Sequence, residues 1–424
     1  MLQVKNIRES ATLMKKRLVK RGWDLSKSEV LDQIISVDDT RKKMQTLSDA
    51  ELAKINSLSD QIGGLFKSGK RDEAEGLKKE IADIKSKNEG YATQLKEAQD
   101  LLEELLLSVP NIPHESVPVG NTEDDNEVYK SWDHPLPIVD GKPHWDLGID
   151  YNILDFDLGT KITGAGFPVF RGKGSRLQRA LINFFLDEAT GAGYEEIVPP
   201  LLVNEATARA TGQLPDKDGQ MYYCERDDLY LLPTAEVPVT NIYRGDIVNA
   251  DILPIKLTGY TPCFRREAGS YGADVKGLNR VHQFDKIEII QVTKPENSYQ
   301  TLEEMLDHVE QLLVKLELPY RILRLCGGDL GFTSALTFDF EVYAAAQKKW
   351  LEVSSVSNFE TYQSNRLKLR YKDNSGKKQL AHTLNGSALA LARIIVALLE
   401  NNQTSEGIVI PKVLRPYTKF DIIN

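Results

Sequence analysis

The sequence predicts an α+β protein in two parts, an N-terminal antiparallel α-helical coiled-coil arm and a body that mixes strands with helices. Three observations predict it. No proline occurs before Pro110, so nothing in that stretch forbids long helices. From Leu77 the seam Leu77, Ile81, Ile84, Asn88, Tyr91, Leu95, Ala98, Leu102, Leu105 advances by alternating steps of 4 and 3. That spacing is a coiled-coil seam with one polar interruption, at Asn88. Beyond Pro110, strand-like runs and amphipathic helical stretches follow one another. A chain of 424 residues favours two domains over one core, and the composition shift places them at 1–110 and 111–424, with the arm at 30–105.

Composition excludes several classes. There is no apolar run of 18 residues and hence no membrane span. The start, MLQVKNIRES, has no apolar core of a signal peptide. Cys224, Cys263 and Cys326 are too scattered for a disulfide framework or a metal pair, and read as reduced thiols of a cytoplasmic protein. None of the six histidines has zinc-ligand spacing with them, so no zinc is expected. The net charge is −9, but it is unevenly spread. Residues 1–110 hold 20 basic and 19 acidic side chains, the remainder 33 and 43. Charge alone does not choose between a nucleic-acid-binding face and a solvated one.

The elements follow in chain order. Residues 1–25 read as a small helical cap. The seam Ile55, Leu58, Ile62, Leu65 reaches weakly back to Met44, and KSGKRD at Lys67–Asp72 is a turn with a basic tip. Two antiparallel helices joined there form a hairpin; at 1.5 Å per residue, helices of about 35 residues give a rod of roughly 50 Å. Such a rod either reaches a distant partner or holds subunits together. Residues 110–150 form a proline-rich connector with an acidic patch at Glu123–Glu127. Arg176–Ala189 is an amphipathic helix followed by GAGYEEIVPPLLV, a strand ending at Pro200. LPTAEVPVT carries Thr234, Ala235 and Glu236, and LEVSSVSNFE carries Glu352, Val353, Ser354 and Ser355. LNGSALALARIIVALLE reads as an apolar helix opened by Asn385, Gly386 and Ser387, with Arg393 alone interrupting it; a charge in such a run needs a partner.

The stretch PCFRREAGSYGADVKGLNRVHQFDKIE, Pro262–Glu288, is the most informative. One strand-like run ends near Arg265–Glu267, a second covers Val281–Ile290, and a loop with Gly269, Gly272 and Gly277 joins them. Arginine suits phosphate because its planar fork donates paired hydrogen bonds. An aromatic face such as Phe284 suits a purine. A surface hairpin laced with salt bridges is the other reading of FRRE alone. His282 in the second run reads as structural.

The whole string resembles motif 2 of the class II aminoacyl-tRNA synthetases, in the form found in seryl-tRNA synthetases, and the resemblance runs over essentially the whole chain. It implies a class II catalytic domain built on a mostly antiparallel β-sheet flanked by helices. It implies that Arg265, Arg266, Glu267, Val281, Phe284, Glu352, Val353, Ser354, Ser355 and Arg393 bind ATP, with Arg265, Glu267 and Arg393 catalytic. Arg266 stands where the family varies. Glu352 and Ser355 would hold Mg²⁺. Thr234, Ala235, Glu236, Arg265, Glu288, Asn385 and Ser387 would line a site for L-serine, Glu288 meeting either its hydroxyl or its ammonium. The helix and strand around Pro200 resemble motif 1, implying a homodimer, and the segment 384–400 resembles motif 3, with Ala388 and Ala392 where the class often has glycine. The arm would grip tRNA(Ser) and, where that tRNA exists, tRNA(Sec). The implied activity is serine–tRNA ligation through seryl-adenylate. The alternative is an inactive synthetase-like scaffold or RNA-binding protein, which predicts a broken motif; Arg265, Glu267, Glu352 and Arg393 are all present.

Overall fold

The computed structural model describes residues 1–24, 29–137, 140–216, 219–267 and 276–424. The chain forms two compact units, Met1–Val19 with Trp23–Pro110, and Lys20–Gly22 with Asn111–Asn424.

The first unit is helical. After α1 (Val4–Leu18), α2 (Glu29–Lys67) and α3 (Arg71–Ser108) form an antiparallel hairpin. The 39 residues of α2 span roughly 58 Å. On α3 every expected seam position is at least partly buried, with Ile81, Ala98 and Leu102 buried. The seam on α2 runs further back than its apolar residues suggest, through Met44 to Ile34 and Leu31. It was weak in the sequence because three of its positions are Asp38, Ser48 and Glu51. Asp38 lies 4% exposed between Arg8, Arg41 and Lys42, at 3.1, 2.8 and 2.7 Å. Burial alone would raise its pKa; the three cations more than offset this and hold it below the usual range. Glu51 meets Lys54 on its own helix and Lys87 across the hairpin, at 3.3 and 2.7 Å. The buried Glu51 carboxylate, paired with Lys87 across the hairpin, penalises registers of the two helices that separate them.

The second unit is built on an eight-stranded sheet. Its elements in chain order are β1 (Glu127–Ser131), α4 (His144–Asp150), α5 (Gly172–Gly191), β2 (Glu195–Glu196), α6 (Glu236–Thr240), β3 (Ile255–Phe264), β4 (Gln283–Thr293), α7 (Ser298–Lys315), β5 (Tyr320–Arg324), β6 (Leu336–Ala344), β7 (Lys349–Asn358), β8 (His382–Ala390) and α8 (Leu391–Asn401). The sheet order is β1-β5-β6-β7-β8-β4-β3-β2, and only the β2–β3 edge pair is parallel. Alternation along β6 shows how the sheet divides. Phe338, Phe340 and Val342 are buried on one face with Leu181 and Phe184 of α5, Met305 of α7 and Ile394 of α8. Thr337, Asp339 and Glu341 face the other way and line an open cleft.

The proline-rich connector supplies edge strand β1 and helix α4. One expectation is corrected. Asn385–Ser387 do not open a helix: they lie in β8, and the helix begins at Leu391. Nearly every residue of β8 is buried. A central strand covered on both faces loses the period-2 pattern and cannot be told from a buried helix by its apolar run. The helix Arg176–Ala189 falls within α5, and near Pro200 Val198 is 87% exposed and Leu201 and Leu202 about 40%.

Candidate active site

The site grows from the pairing of β3 with β4. Their antiparallel register sets Phe284 opposite Cys263, Lys286 opposite Thr261 and Glu288 opposite Gly259, all on the open face. Arg265 follows β3 directly. Its Nε donates to the Pro233 carbonyl at 3.4 Å, and its guanidinium lies 5.3 Å from the Phe284 ring centre. His282 supports it structurally: its ring nitrogen Nδ1 lies 3.0 Å from the Arg265 carbonyl, and its ring stacks on Phe167. Arg266 is engaged elsewhere, donating to the Met221 carbonyl and stacking 4.6 Å from Tyr222. Glu267 adopts φ +46° and pairs with Arg280 at 3.0 Å. Gly269 and Gly272 of the joining loop lie outside the described residues; Gly277 has φ +68°.

Two bulges give the remaining segments their aim. In β7, Phe340 and Glu341 pair with Ser354 and Glu352, so Val353 is an extra residue. Three residues apart in a regular strand, Glu352 and Ser355 would point to opposite faces; the bulge at Val353 lets both line the cleft. Val353 is itself buried, and Ser354 Oγ donates to the Ser387 carbonyl at 2.6 Å, tying β7 to β8. In β8 the register shifts between Ser387, opposite Glu288, and Ala390, opposite Lys286. Leu389 in this interval takes φ +108°, a strained backbone for a branched side chain.

A polar pocket forms where β4, β8 and α6 meet. Thr234 Oγ1 donates to Glu288 Oε2 at 3.3 Å, Ser387 Oγ to the same oxygen at 3.5 Å, and Lys286 Nζ pairs with it at 2.7 Å. Glu236 accepts from Gln363 Nε2 at 2.6 Å. Burial first, and then the charge of Glu288, push the Glu236 carboxyl up to about 7, while Gln363, Lys286 and Asn385 act in the opposite direction. Ala235 is fully buried, and Asn385 is 6% exposed.

Next to this pocket lies a cleft of about 980 Å³, lined among others by Arg280, Asp339, Glu341, Glu352, Ser355 and Arg393. Arg393 Nη1 donates to the Glu352 carbonyl at 2.7 Å and Nε to the Asn279 carbonyl at 3.0 Å. Burial, together with Arg280 and Arg265, lowers the Arg393 pKa and Glu352 raises it. Arg280 and Arg393 on one wall of the cleft can meet a polyanion. Facing them are hard oxygen donors. Asp339 has a buried Oδ1 with no partner, and burial first, then Glu352, raises its pKa well above the usual range. Among the described residues no cluster of three or more His, Cys, Asp or Glu could hold a metal unaided. One or two carboxylates plus a hydroxyl suit Mg²⁺ that is shared with substrate phosphates.

The sequence reading missed Lys286, Arg280, Asp339 and Gln363. Lys286 was within reach, because it precedes Glu288 by two residues in a strand and so shares its face. Asp339 and Gln363 carry no local signal.

A hairpin bearing Arg265, Glu352 and Ser355 on either side of a bulge in β7, and an arginine on the helix after β8 converge on one open sheet face. Residues 222–402 match the tRNA synthetase class II core domain (G, H, P, S and T), which defines the class, and residues 1–113 match the seryl-tRNA synthetase N-terminal domain. The serine–tRNA ligase of Salinibacter ruber is 48% identical over 99% of this chain and 98% of that protein. The seryl-tRNA synthetase of Pyrococcus horikoshii, solved with ATP, has a TM-score of 0.89 and 34% identity, covering 100% of this chain and 99% of that one. The cytoplasmic serine–tRNA ligase of Naegleria fowleri, solved with AMP, has a TM-score of 0.85 and 26% identity, covering the same shares. The chain belongs to the seryl-tRNA synthetase family.

Proposed function

We propose that the chain activates L-serine with ATP as seryl-adenylate and transfers the seryl group to tRNA(Ser). The observation that carries this reading is the continuity of one sheet face, from the Glu236–Glu288–Lys286 pocket through Arg265 to Arg393, Glu352 and Ser355. The P. horikoshii relative was solved with ATP, which supports ATP in the cleft.

In the first step the serine carboxylate attacks the α-phosphorus, and pyrophosphate leaves. A carboxylate is already ionised near pH 7 and needs no general base. Catalysis is then positioning plus neutralisation of charge. Arg265 faces the α-phosphate and the serine carboxylate, Phe284 stacks on adenine, and Arg393 with Arg280 holds the leaving phosphates. Glu352 and Ser355, with Asp339 beside them, would hold Mg²⁺, which neutralises phosphate charge when bound. In the second step a 3′-terminal tRNA hydroxyl attacks the adenylate. Thr234, Glu236, Glu288, Asn385 and Ser387 receive the serine ammonium and hydroxyl. A site built around that hydroxyl rejects alanine and glycine because its own buried groups would go unpaired. The arm takes the tRNA, and the exposed Val198, Leu201 and Leu202 by Pro200 form a homodimer contact. The cytoplasm suits its free cysteines. Serine-dependent exchange between ATP and pyrophosphate tests the reading.

The pocket sets a pH dependence. Empty, Glu236 titrates near 7, so below that pH it is largely protonated. An incoming ammonium favours the ionised form, and binding must expel the proton. Serine affinity should therefore be level above pH 7.5 and fall by up to about tenfold per unit below 7. Measuring the serine KM in exchange from pH 5.5 to 8.5 checks this. A flat profile, or the same profile in Glu236→Gln, would contradict it.

A further inference from the structure

His144 and Glu400 are both 0% exposed, and the proposed chemistry uses neither. The Leu278 N–H, a fixed donor, reaches His144 Nε2 at 2.9 Å. Nε2 is therefore the bare nitrogen, and Nδ1–H donates to Glu400 Oε1 at 2.9 Å. Glu400 also accepts the His144 N–H at 3.1 Å, the Gln347 N–H at 3.2 Å and Gln347 Nε2 at 2.8 Å. Gln347 Oε1 in turn accepts from Asn279 Nδ2 at 2.8 Å, and the Asn279 carbonyl receives Arg393 Nε. Gly277 leaves room for this approach, since a Cβ there would stand 2.1 Å from His144 Nε2.

We propose that His144 and Glu400, linked through Gln347 to Asn279, are positioning residues for ATP. They clamp the returning chain at Gly277–Asn279 between α4 and α8, which fixes the carbonyl that aims Arg393 and sets Arg280, at the cleft wall, toward Glu267. If the pair merely held α4 against α8, an apolar pair would serve as well. What an apolar pair cannot supply is the acceptor for the Leu278 N–H and the link to Asn279. The inference rests on the reading of Arg393 as an ATP ligand.

The test uses full-length protein in ATP–pyrophosphate exchange. His144→Asn keeps a donor toward Glu400 but loses the acceptor; His144→Gln places an amide oxygen near the lost Nε2. We expect H144N to raise the ATP KM about tenfold with the serine KM changed less than twofold, and H144Q to recover most of the loss. Equal KM values for wild type and H144N, or ATP and serine KM values rising together with no rescue by H144Q, would overturn the clamp. If H144N does not fold, Gln347→Ala at the partly exposed margin of the network carries the test. An ATP KM raised threefold or more supports the proposal, and an unchanged one defeats it. Wild-type protein that shows no serine-dependent exchange would instead sink the functional reading beneath it.

Discussion

Arg265→Ala or Arg393→Ala is expected to cut serine-dependent ATP–pyrophosphate exchange by about 10³-fold or more, in a protein that remains folded. A single neutral donor aimed at a developing charge contributes about 10²–10³ in rate, and an arginine on a transferring phosphoryl group 10³–10⁵. Neither arginine is structural glue. Arg265 makes one long bond to Pro233 and lies over Phe284. Arg393 is 23% exposed at the cleft wall, where water can take over its two carbonyl partners once the side chain is gone. The two losses should differ in form. Arg265, set beside both the serine pocket and the purine platform, should act mainly on kcat. Arg393, on the leaving phosphates, should also raise the ATP KM. Exchange within threefold of wild type in either variant would remove that arginine from the mechanism.

Deleting the hairpin, residues 30–105, behind a short Gly-Ser bridge should leave adenylate formation within a few-fold and reduce tRNA charging by about 10³-fold at physiological salt. The body has its own core, from Leu181 and Phe184 through Phe340 to Ile394, and every residue assigned to ATP and serine lies in it. The arm presents Lys42, Lys54, Lys78, Lys87 and Lys96, each about half exposed or more. Phosphate contacts of this kind carry affinity that falls steeply with salt, and structured RNA is read largely by shape and backbone. Wild-type charging should therefore weaken with added salt while exchange does not. Normal charging by the shortened protein would refute the role of the arm.

Much of this architecture was legible because it rests on local rules. The hairpin arm follows from an absence of proline and a heptad seam, and its two long helices answer both. What obscured the first half of the α2 seam was charge: Asp38 and Glu51 occupy heptad positions and are stabilised by cations of their own helix and by Arg8 and Lys87, which the fold brings near. The β3–β4 pairing followed from strand runs on either side of a glycine-rich loop. The strand β8 did not, because burial on both faces erased its alternation. The two bulges were illegible in principle. A single extra residue such as Val353 leaves no mark in composition, yet it decides that Glu352 and Ser355 share a face. The polar partners hardest to see were those from distant segments: Asp339 beside Glu352, Gln363 on Glu236, and His144 beneath Leu278. Each depends on a tertiary contact that no local period encodes.

The central claim is that one sheet face joins a serine pocket to an ATP cleft. Its most direct test is amino-acid-dependent ATP–pyrophosphate exchange, measured without tRNA across the twenty standard amino acids. Exchange is expected with serine, with threonine, alanine and glycine at least about 10²-fold lower in kcat/KM. Folded protein that exchanges with none of them, or that prefers another amino acid, would contradict it.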